Sequence, residues 1–445
     1  MTGVNMYEKT NPIKLFFSIA IPGAISMIAS YMWGLFDGIF VGNLLGQNAF
    51  AALNLAFPFV LINFALADLI GVGSSINISI LLGQKEHGKA NNLFTCACIL
   101  IVLTAILSGT IIYIGAPILM ELLGADDELA KLAIRYIRVY AIASPFTTMT
   151  FAADNFLRIC GKIKSSMSLN ILMSILILVL EYICLAVLKL GIAGSALAVS
   201  TGMFICTLIA LYPFVRKKLI LQFCKPQFSF SIIKKVIING SPNFLSNIAS
   251  RLTEILMNIV LLKVGGAVAV SVYGILMYAG DLIHQLLYGT CDGMQPAIGY
   301  NWGAGNVDRV KKLFRCSTIA CAVIAKTGTI VLQKYPDLIV SLFTQSKDKQ
   351  LLEIASYALK IYSFTFVTRW IGFAIQSLMV ALEKSAWATI LSLSNAIIFP
   401  LLLLPTLWSL KLNGLWMNAP ITSAIVGVLA IVLYTRLRLT KGERL

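Results

Sequence analysis

Carboxylates standing inside apolar runs are the residues of this chain best suited to chemistry. Asp37 lies in Trp33-Gly34-Leu35-Phe36-Asp37-Gly38-Ile39-Phe40-Val41-Gly42, and Glu181 in Leu176-Ile177-Leu178-Val179-Leu180-Glu181-Tyr182-Ile183. Burying such a group is costly unless it is paired, so its presence points to work done with a proton or a small cation. Gly34, Gly38 and Gly42 recur at every fourth position, a stripe suited to close helix packing that turns the Asp37 carboxylate toward a protein interior. A fixed, hydrogen-bonded structural acid is the alternative. Glu181 has no basic residue within a turn and should exchange a proton readily; a permanently neutral, hydrogen-bonded glutamic acid is the alternative there. Asp68 is either a cavity acid or a helix-end polar group. Asp154, four residues before Arg158, reads as an ion pair at a membrane edge.

The second half carries Arg251, Glu254, Asp281, His284, Asp292, Lys326 and Arg369 in comparable surroundings. Arg251 and Glu254, spaced i, i+3, share a helix face and are expected to neutralise each other as a structural pair. Lys326 and Arg369 have no sequence-local acid, and Lys326 snorkels if it lies near a membrane edge. Asp281 and Asp292, like Asp68, are cavity acids or helix-end groups. Arg251, Glu254, Asp292, Tyr300 and Arg369 are the candidates for a cavity in this half. Met277, Tyr278, Tyr288, Met294, Tyr300 and Trp370 could line a forgiving pocket for organic cations, although packing in a core or against lipid accounts for any one of them. Enzyme signatures are absent: there is no G-x-x-x-x-G-K-[ST] and no H-E-x-x-H, and His87 and His284 are too few for a histidine metal site. The nine cysteines have neither disulfide nor zinc spacing. With no nucleophile, base or metal constellation visible, the chain is not expected to be an enzyme.

The elements that hold these residues must be membrane helices. The 445 residues are 58% hydrophobic and 12% charged, whereas a soluble chain carries roughly 25% charged residues. A net charge of +16 on so few charged residues leaves no basic face for nucleic acid. Runs long enough to cross a bilayer lie near 14–42, 50–82, 93–115, 130–157, 166–188, 191–214, 232–262, 267–300, 315–333, 352–381, 386–409 and 413–435. These predict an all-α polytopic membrane protein of twelve transmembrane helices. No cleavage pattern follows the polar start, so no removable signal peptide is expected. Most of the 35 Lys and Arg residues fall in alternate connections, from Lys9 and Lys14 to Arg436, Arg438, Lys441 and Arg444, while Glu121, Asp126, Asp127 and Glu128 fall on the other side. By the positive-inside rule both termini are then cytoplasmic, in a cell membrane.

Sliding the chain by 220 positions reveals a repeat. Pro22 meets Pro242, Ile28-Ala29-Ser30 meets Ile248-Ala249-Ser250, Gly46 meets Gly266, Gly73 meets Gly293 and Gly83 meets Gly303. Aligned Gly and Pro matter most because each reflects a backbone requirement. Two pseudo-symmetric six-helix lobes follow, 1–214 and 236–445, joined by a basic linker at 215–235. Such duplication favours alternating access, with ion gradients as the energy source since no phosphate loop is present.

The run Ile21-Pro22 through Asp37 to Val41-Gly42, followed by Gly46 and Ala51-Ala52, resembles the first-helix signature of the multidrug and toxic compound extrusion (MATE) transporters. Gln295-Pro296-Ala297-Ile298-Gly299-Tyr300-Asn301-Trp302-Gly303-Ala304 is similar to a motif ending helix 8 in their bacterial MepA/DinF-like branch, and Asn155-Phe156-Leu157-Arg158 and Gly191-Ile192-Ala193-Gly194-Ser195-Ala196 match as well. The resemblance covers essentially the whole chain. It implies a monomeric antiporter in the lipid bilayer that exports small organic cations in exchange for H+ or Na+, with no other cofactor. It also implies Asp37 as the helix 1 coupling acid, Glu181 in place of a helix 5 aspartate that precedes proline, Asn155 as a polar residue of the same cavity, and Val199, beside Ser200, at a helix 6 threonine position. A lipid-linked oligosaccharide flippase of the wider superfamily is the alternative; it would need a cluster of cationic cavity residues, for which Arg251, Lys326 and Arg369 are the candidates.

Overall fold

The computed structural model describes residue 3 and residues 5–122, 126–343 and 349–437, which leaves Arg438, Lys441 and Arg444 outside the described residues. After a short helix at Asn5–Lys9, the first half runs through α1 (Pro12–Leu45), α2 (Gln47–Gly83), α3 (His87–Leu122), α4 (Asp127–Ile159), α5 (Ile163–Tyr182) and α6 (Ile192–Val215). A continuous helical stretch, Phe230–Gly303, is broken at Gly266 (φ 65°, ψ −165°), which divides it into α7 (230–265) and α8 (266–303). Then follow α9 (Val307–Lys334), α10 (Lys349–Ser363 and Thr365–Ala381, bent by 43°), α11 (Ser385–Thr406) and α12 (Trp408–Arg436). The described residues contain no strand.

Nine of these stretches are long and apolar enough to cross a membrane. The broken Phe230–Gly303 stretch provides two crossings and the bent pair in α10 another. The remaining span, α4, is too polar to qualify by composition, and much of its surface is covered by protein: it packs against α2, α3 and α6 and buries Tyr136, Tyr140, Thr147, Thr148 and Thr150. Its threonine hydroxyls are satisfied inside the unit, as where Thr150 meets Thr207 of α6 at 2.6 Å, so this span needs little lipid-compatible surface.

The described residues form two compact units. Unit 1 contains 25–240 with the first residues of the chain, and unit 2 contains 11–24 and 241–445. These divisions fall inside α1 and α7, whereas the sequence-based lobes meet at the linker 215–235. Close crossings hold the two exchanged ends. In unit 1, Gly240 lies so near the Leu69 carbonyl that a Cβ there would stand 1.8 Å from it, and in unit 2 a Cβ on Gly23 would meet the Gly289 carbonyl at 2.5 Å.

The aligned Gly46 (φ 87°) and Gly266 both have left-handed φ, at the turns that begin α2 and α8. Here the repeat reflects one backbone geometry used twice. The glycine stripe of α1 differs from expectation. A Cβ on Gly34 would meet nothing within 4 Å, and those on Gly38 and Gly42 would meet only the Phe50 ring, so the stripe leaves room for an aromatic side chain rather than for a second backbone.

Candidate functional site

Unit 1 brings Asp37 and Glu181 side by side. Asp37 stands in the C-terminal third of α1, 1% exposed, and accepts a 2.6 Å hydrogen bond from the Ser195 hydroxyl. Glu181, wholly buried, is the next-to-last residue of α5. A π-helical turn, Ile183–Val187, follows at once and re-aims the chain, a device common at functional sites. Gly191 (φ 64°) starts α6 and places Ser195 in its first turns. Tyr136 of α4 lies near both acids.

Neither carboxyl oxygen of Glu181 meets a donor among the described residues, although Asp37 and Ser195 are its neighbours. Two ionised carboxyls are acceptors only, so their proximity satisfies neither. A pair of uncompensated charges in a membrane interior is costly, and a proton or small cation held between the two would close the arrangement. At the same end of the unit a surface cavity of about 470 Å³ is lined by Leu45, Gly46, Gln47, Glu128, Leu132, Gly191 and Ile192. Ser195 lies one turn of α6 beyond Ile192, and Asp37 about 12 Å along α1 from Leu45 at 1.5 Å per residue.

Asp68 and Asn155 are not part of this cluster. Asn155 lies 19 positions after Tyr136 on α4, about 28 Å along the helix, and near the connection to α5, whose far end carries Glu181. Its amide donates to its own helix at the Phe151 carbonyl, 3.2 Å away, and faces Gly71 of α2. Asp68, half-buried one turn before Gly71, belongs to that deeper level. The implied helix 6 position also moves. Val199 is buried and apolar, and the Ser200 hydroxyl has no partner among the described residues, so the hydroxyl on Asp37 belongs to Ser195, one turn earlier. Ser195 lies in the 191–196 run that resembles the family, a resemblance that assigns it no role, and Tyr136 carries no sequence signal; the meeting of α1, α4, α5 and α6 selects both.

At the deeper level Asp154 and Arg158 form the expected i, i+4 pair at 2.8 Å, both largely buried. Around them sequence reasoning missed a network. Ser166 and Asn170 of α5 donate to Asp154, Arg158 donates to Ser166 at 3.0 Å, Ser30 of α1 bonds Asn170 at 3.1 Å, and the Tyr7 hydroxyl donates to the Arg158 carbonyl.

In unit 2, Arg251 and Glu254 pair at 2.7 Å, as their spacing predicts. Lys326 is exposed on α9. Arg369 of α10 donates to the Asn395 side chain at 2.6 Å and lies near Tyr288, Tyr362 and His284. Asp292 occupies the single 3-10 turn after Cys291 and accepts from Gln295 and Ser377, each at 2.8 Å, which ties the start of the Gln295–Gly303 motif to α10. Tyr300, buried further along that motif, stands a dozen residues beyond Tyr288, about 18 Å of helix, and so apart from Arg369.

Comparison with known proteins follows the same division. The MatE family model matches residues 22–183 and again 242–405, two segments that start at the aligned Pro22 and Pro242. The chain is 27% identical over 406 residues to the multidrug export protein MepA of Staphylococcus aureus strain MSSA476, covering 89% of this chain and 88% of the relative. It is 25% identical over 441 residues to MepA of Staphylococcus haemolyticus, covering 97% and 95%. Among solved structures, an outward-facing multidrug resistance MATE transporter superposes with a TM-score of 0.91 at 23% identity over 99% of this chain and 98% of its own. A superfamily transporter from Pyrococcus furiosus, described as having a binding pocket of reversed polarity, gives 0.90 at 23% over 98% and 97%.

Proposed function

We propose, from the premise that this chain belongs to the MatE family, that it exports cationic amphipathic compounds in exchange for H+ or Na+ by alternating access across a cell membrane, with both termini cytoplasmic. The observation that carries the coupling is the Asp37–Glu181 pair, buried and without a donor for Glu181. Each state of such a pair favours a different occupant. Two ionised carboxylates attract a cation strongly where screening is weak, and a bound proton or Na+ removes that attraction. An ion entering from one side thereby releases a cationic substrate, and the substrate's arrival expels the ion. Two carboxyls and one hydroxyl satisfy a shared proton with no further ligand, which favours H+ as the ion. The cavity beside Leu45, Glu128 and Ile192 is the approach for that ion.

The flippase alternative requires clustered cations. Lys326 is exposed and Arg251 is neutralised by Glu254, so Arg369 stands without the companions that a pyrophosphate headgroup would need. The test is ethidium efflux from proteoliposomes holding the purified protein, with pH and Na+ gradients imposed separately. Efflux driven by the pH gradient, and lost in Glu181→Gln, is expected. No efflux under either gradient, with rescue of a flippase-deficient strain, would reverse the reading.

A further inference from the structure

The carboxyl pair of unit 1 suits cations, but unit 2 carries the opposite chemistry. Arg369 is half-buried in a membrane helix, and its guanidinium, with five N–H donors, makes one hydrogen bond, to Asn395, and no ion pair among the described residues. Its neighbours are the rings of Tyr288, Tyr362 and His284. The Nδ1 edge of His284 lies 3.7 Å from Asp281, beyond hydrogen-bonding distance, and its buried Nε2 has no partner among the described residues. Of the other charges nearby, Glu254 is engaged by Arg251 at 2.7 Å and Asp292 by Gln295 and Ser377, while Asp281 lies half-exposed at the far edge of His284 and forms no ion pair with Arg369. A guanidinium so placed is too costly to face lipid and has most of its donors uncommitted.

We propose that Arg369, with the Nε2 edge of His284, forms an oxyanion subsite in unit 2 that binds the carboxylate of a flat, amphipathic substrate. The guanidinium fork matches a carboxylate in bidentate fashion. Because no hydrogen bond to Asp281 fixes the proton on Nδ1, the neutral imidazole can carry it on Nε2 and add a donor there. Tyr288, stacked edge-on against Phe373 at 4.5 Å, offers an aromatic wall for the apolar body. Asn395, on the π-helical turn Ser394–Ile398, fixes the guanidinium by one donor and leaves the fork open. The substrates of the proposed exporter would then include zwitterions as well as simple cations, an inference that rests on the export reading only for the direction of movement.

The test uses the full-length protein in detergent and two dyes with the same cationic ring system, tetramethylrhodamine with a free carboxylate and its methyl ester, followed by fluorescence anisotropy. Arg369→Gln should weaken the free-acid dye about tenfold or more, the loss of a charge-assisted bond, and leave the ester within twofold. Asn395→Asp should have the same selective effect while keeping Arg369, because it fills the guanidinium from within at the existing contact. This second variant keeps the test open if Arg369→Gln does not fold. Equal losses for acid and ester, or no loss for the acid, would overturn the subsite. Dioctanoyl phosphatidic acid is the third probe: Arg369-dependent binding of this lipid tenfold tighter than the free-acid dye would assign the site to a lipid phosphate and overturn the carboxylate assignment. Ester efflux in proteoliposomes separates the two readings. Efflux without Arg369-dependent acid binding leaves the exporter and removes the subsite; the converse removes the exporter and leaves the subsite.

Discussion

Asp37→Asn is the substitution that most sharply separates coupling from folding. The asparagine keeps the shape of the side chain, and its Oδ1 can still accept the Ser195 hydroxyl bonded at 2.6 Å. It removes one charge from a site 1% exposed and introduces an amide N–H beside the two Glu181 oxygens that have no donor. A new buried hydrogen bond of this kind contributes about 1–3 kcal/mol when the acceptor would otherwise stay unpaired. In a unit of roughly 200 residues that raises Tm by about 2–4 °C for each kcal/mol. The variant should therefore insert normally and melt higher than the parent, by differential scanning fluorimetry in detergent, while gradient-driven ethidium efflux from proteoliposomes falls to the protein-free background. Parental efflux by well-folded Asp37→Asn protein would refute the coupling role. A lower Tm would refute the geometry, since it would mean that Asp37 is compensated by a partner the amide cannot replace.

Three further outcomes follow from the packing. Asp154→Ala strands Arg158 among Ser166 and Asn170, so folded yield should drop by the 3–5 kcal/mol typical of a broken buried pair, roughly, read as loss of monodisperse protein on size exclusion; normal yield would mean that the pair is solvated. Gly266→Ala meets no steric neighbour yet must adopt φ 65°, so it should cost about 1–3 kcal/mol of conformational strain, whereas Gly34→Ala, equally open but within a helix, should be neutral or stabilising; equal effects would contradict the assigned turn. Burial raises the Tyr7 hydroxyl above its ordinary 10.0. The folded state keeps a proton that the unfolded chain releases above that pH, so this stabilisation is complete below pH 10 and falls as pH rises beyond it. Between pH 10 and 11 the parent should lose up to about 1.4 kcal/mol more than Tyr7→Phe; parallel pH–Tm curves for the two proteins would exclude the effect.

The amino-acid sequence by itself determines the membrane class, the twelve helical spans and the duplicated backbone. The first two rest on information within about 20 neighbouring residues, apolar length against bilayer thickness; the third rests on glycine and proline recurring 220 positions apart where the chain demands the same unusual φ, as at Gly46 and Gly266. The Arg251–Glu254 and Asp154–Arg158 pairs are legible locally, since i, i+3 and i, i+4 positions meet on any helix. Depth and lateral partnership are not local quantities. Asp68 and Asn155 have the same polar character as Asp37 and Glu181 but stand tens of ångströms away along the helices. Ser195 reaches Asp37, where the adjacent pair Val199 and Ser200 does not, only because Gly191 and the π-helical turn after Glu181 set the register of α6 against α1. The polar spacing of α4 reads as a weak span until its flanks are seen to be covered by α2, α3 and α6. In each case the deciding contact joins residues on different helices, from 57 positions apart for Thr150 and Thr207 to 158 for Asp37 and Ser195, and such contacts are selected by how whole helices pack, which no short run of residue types encodes.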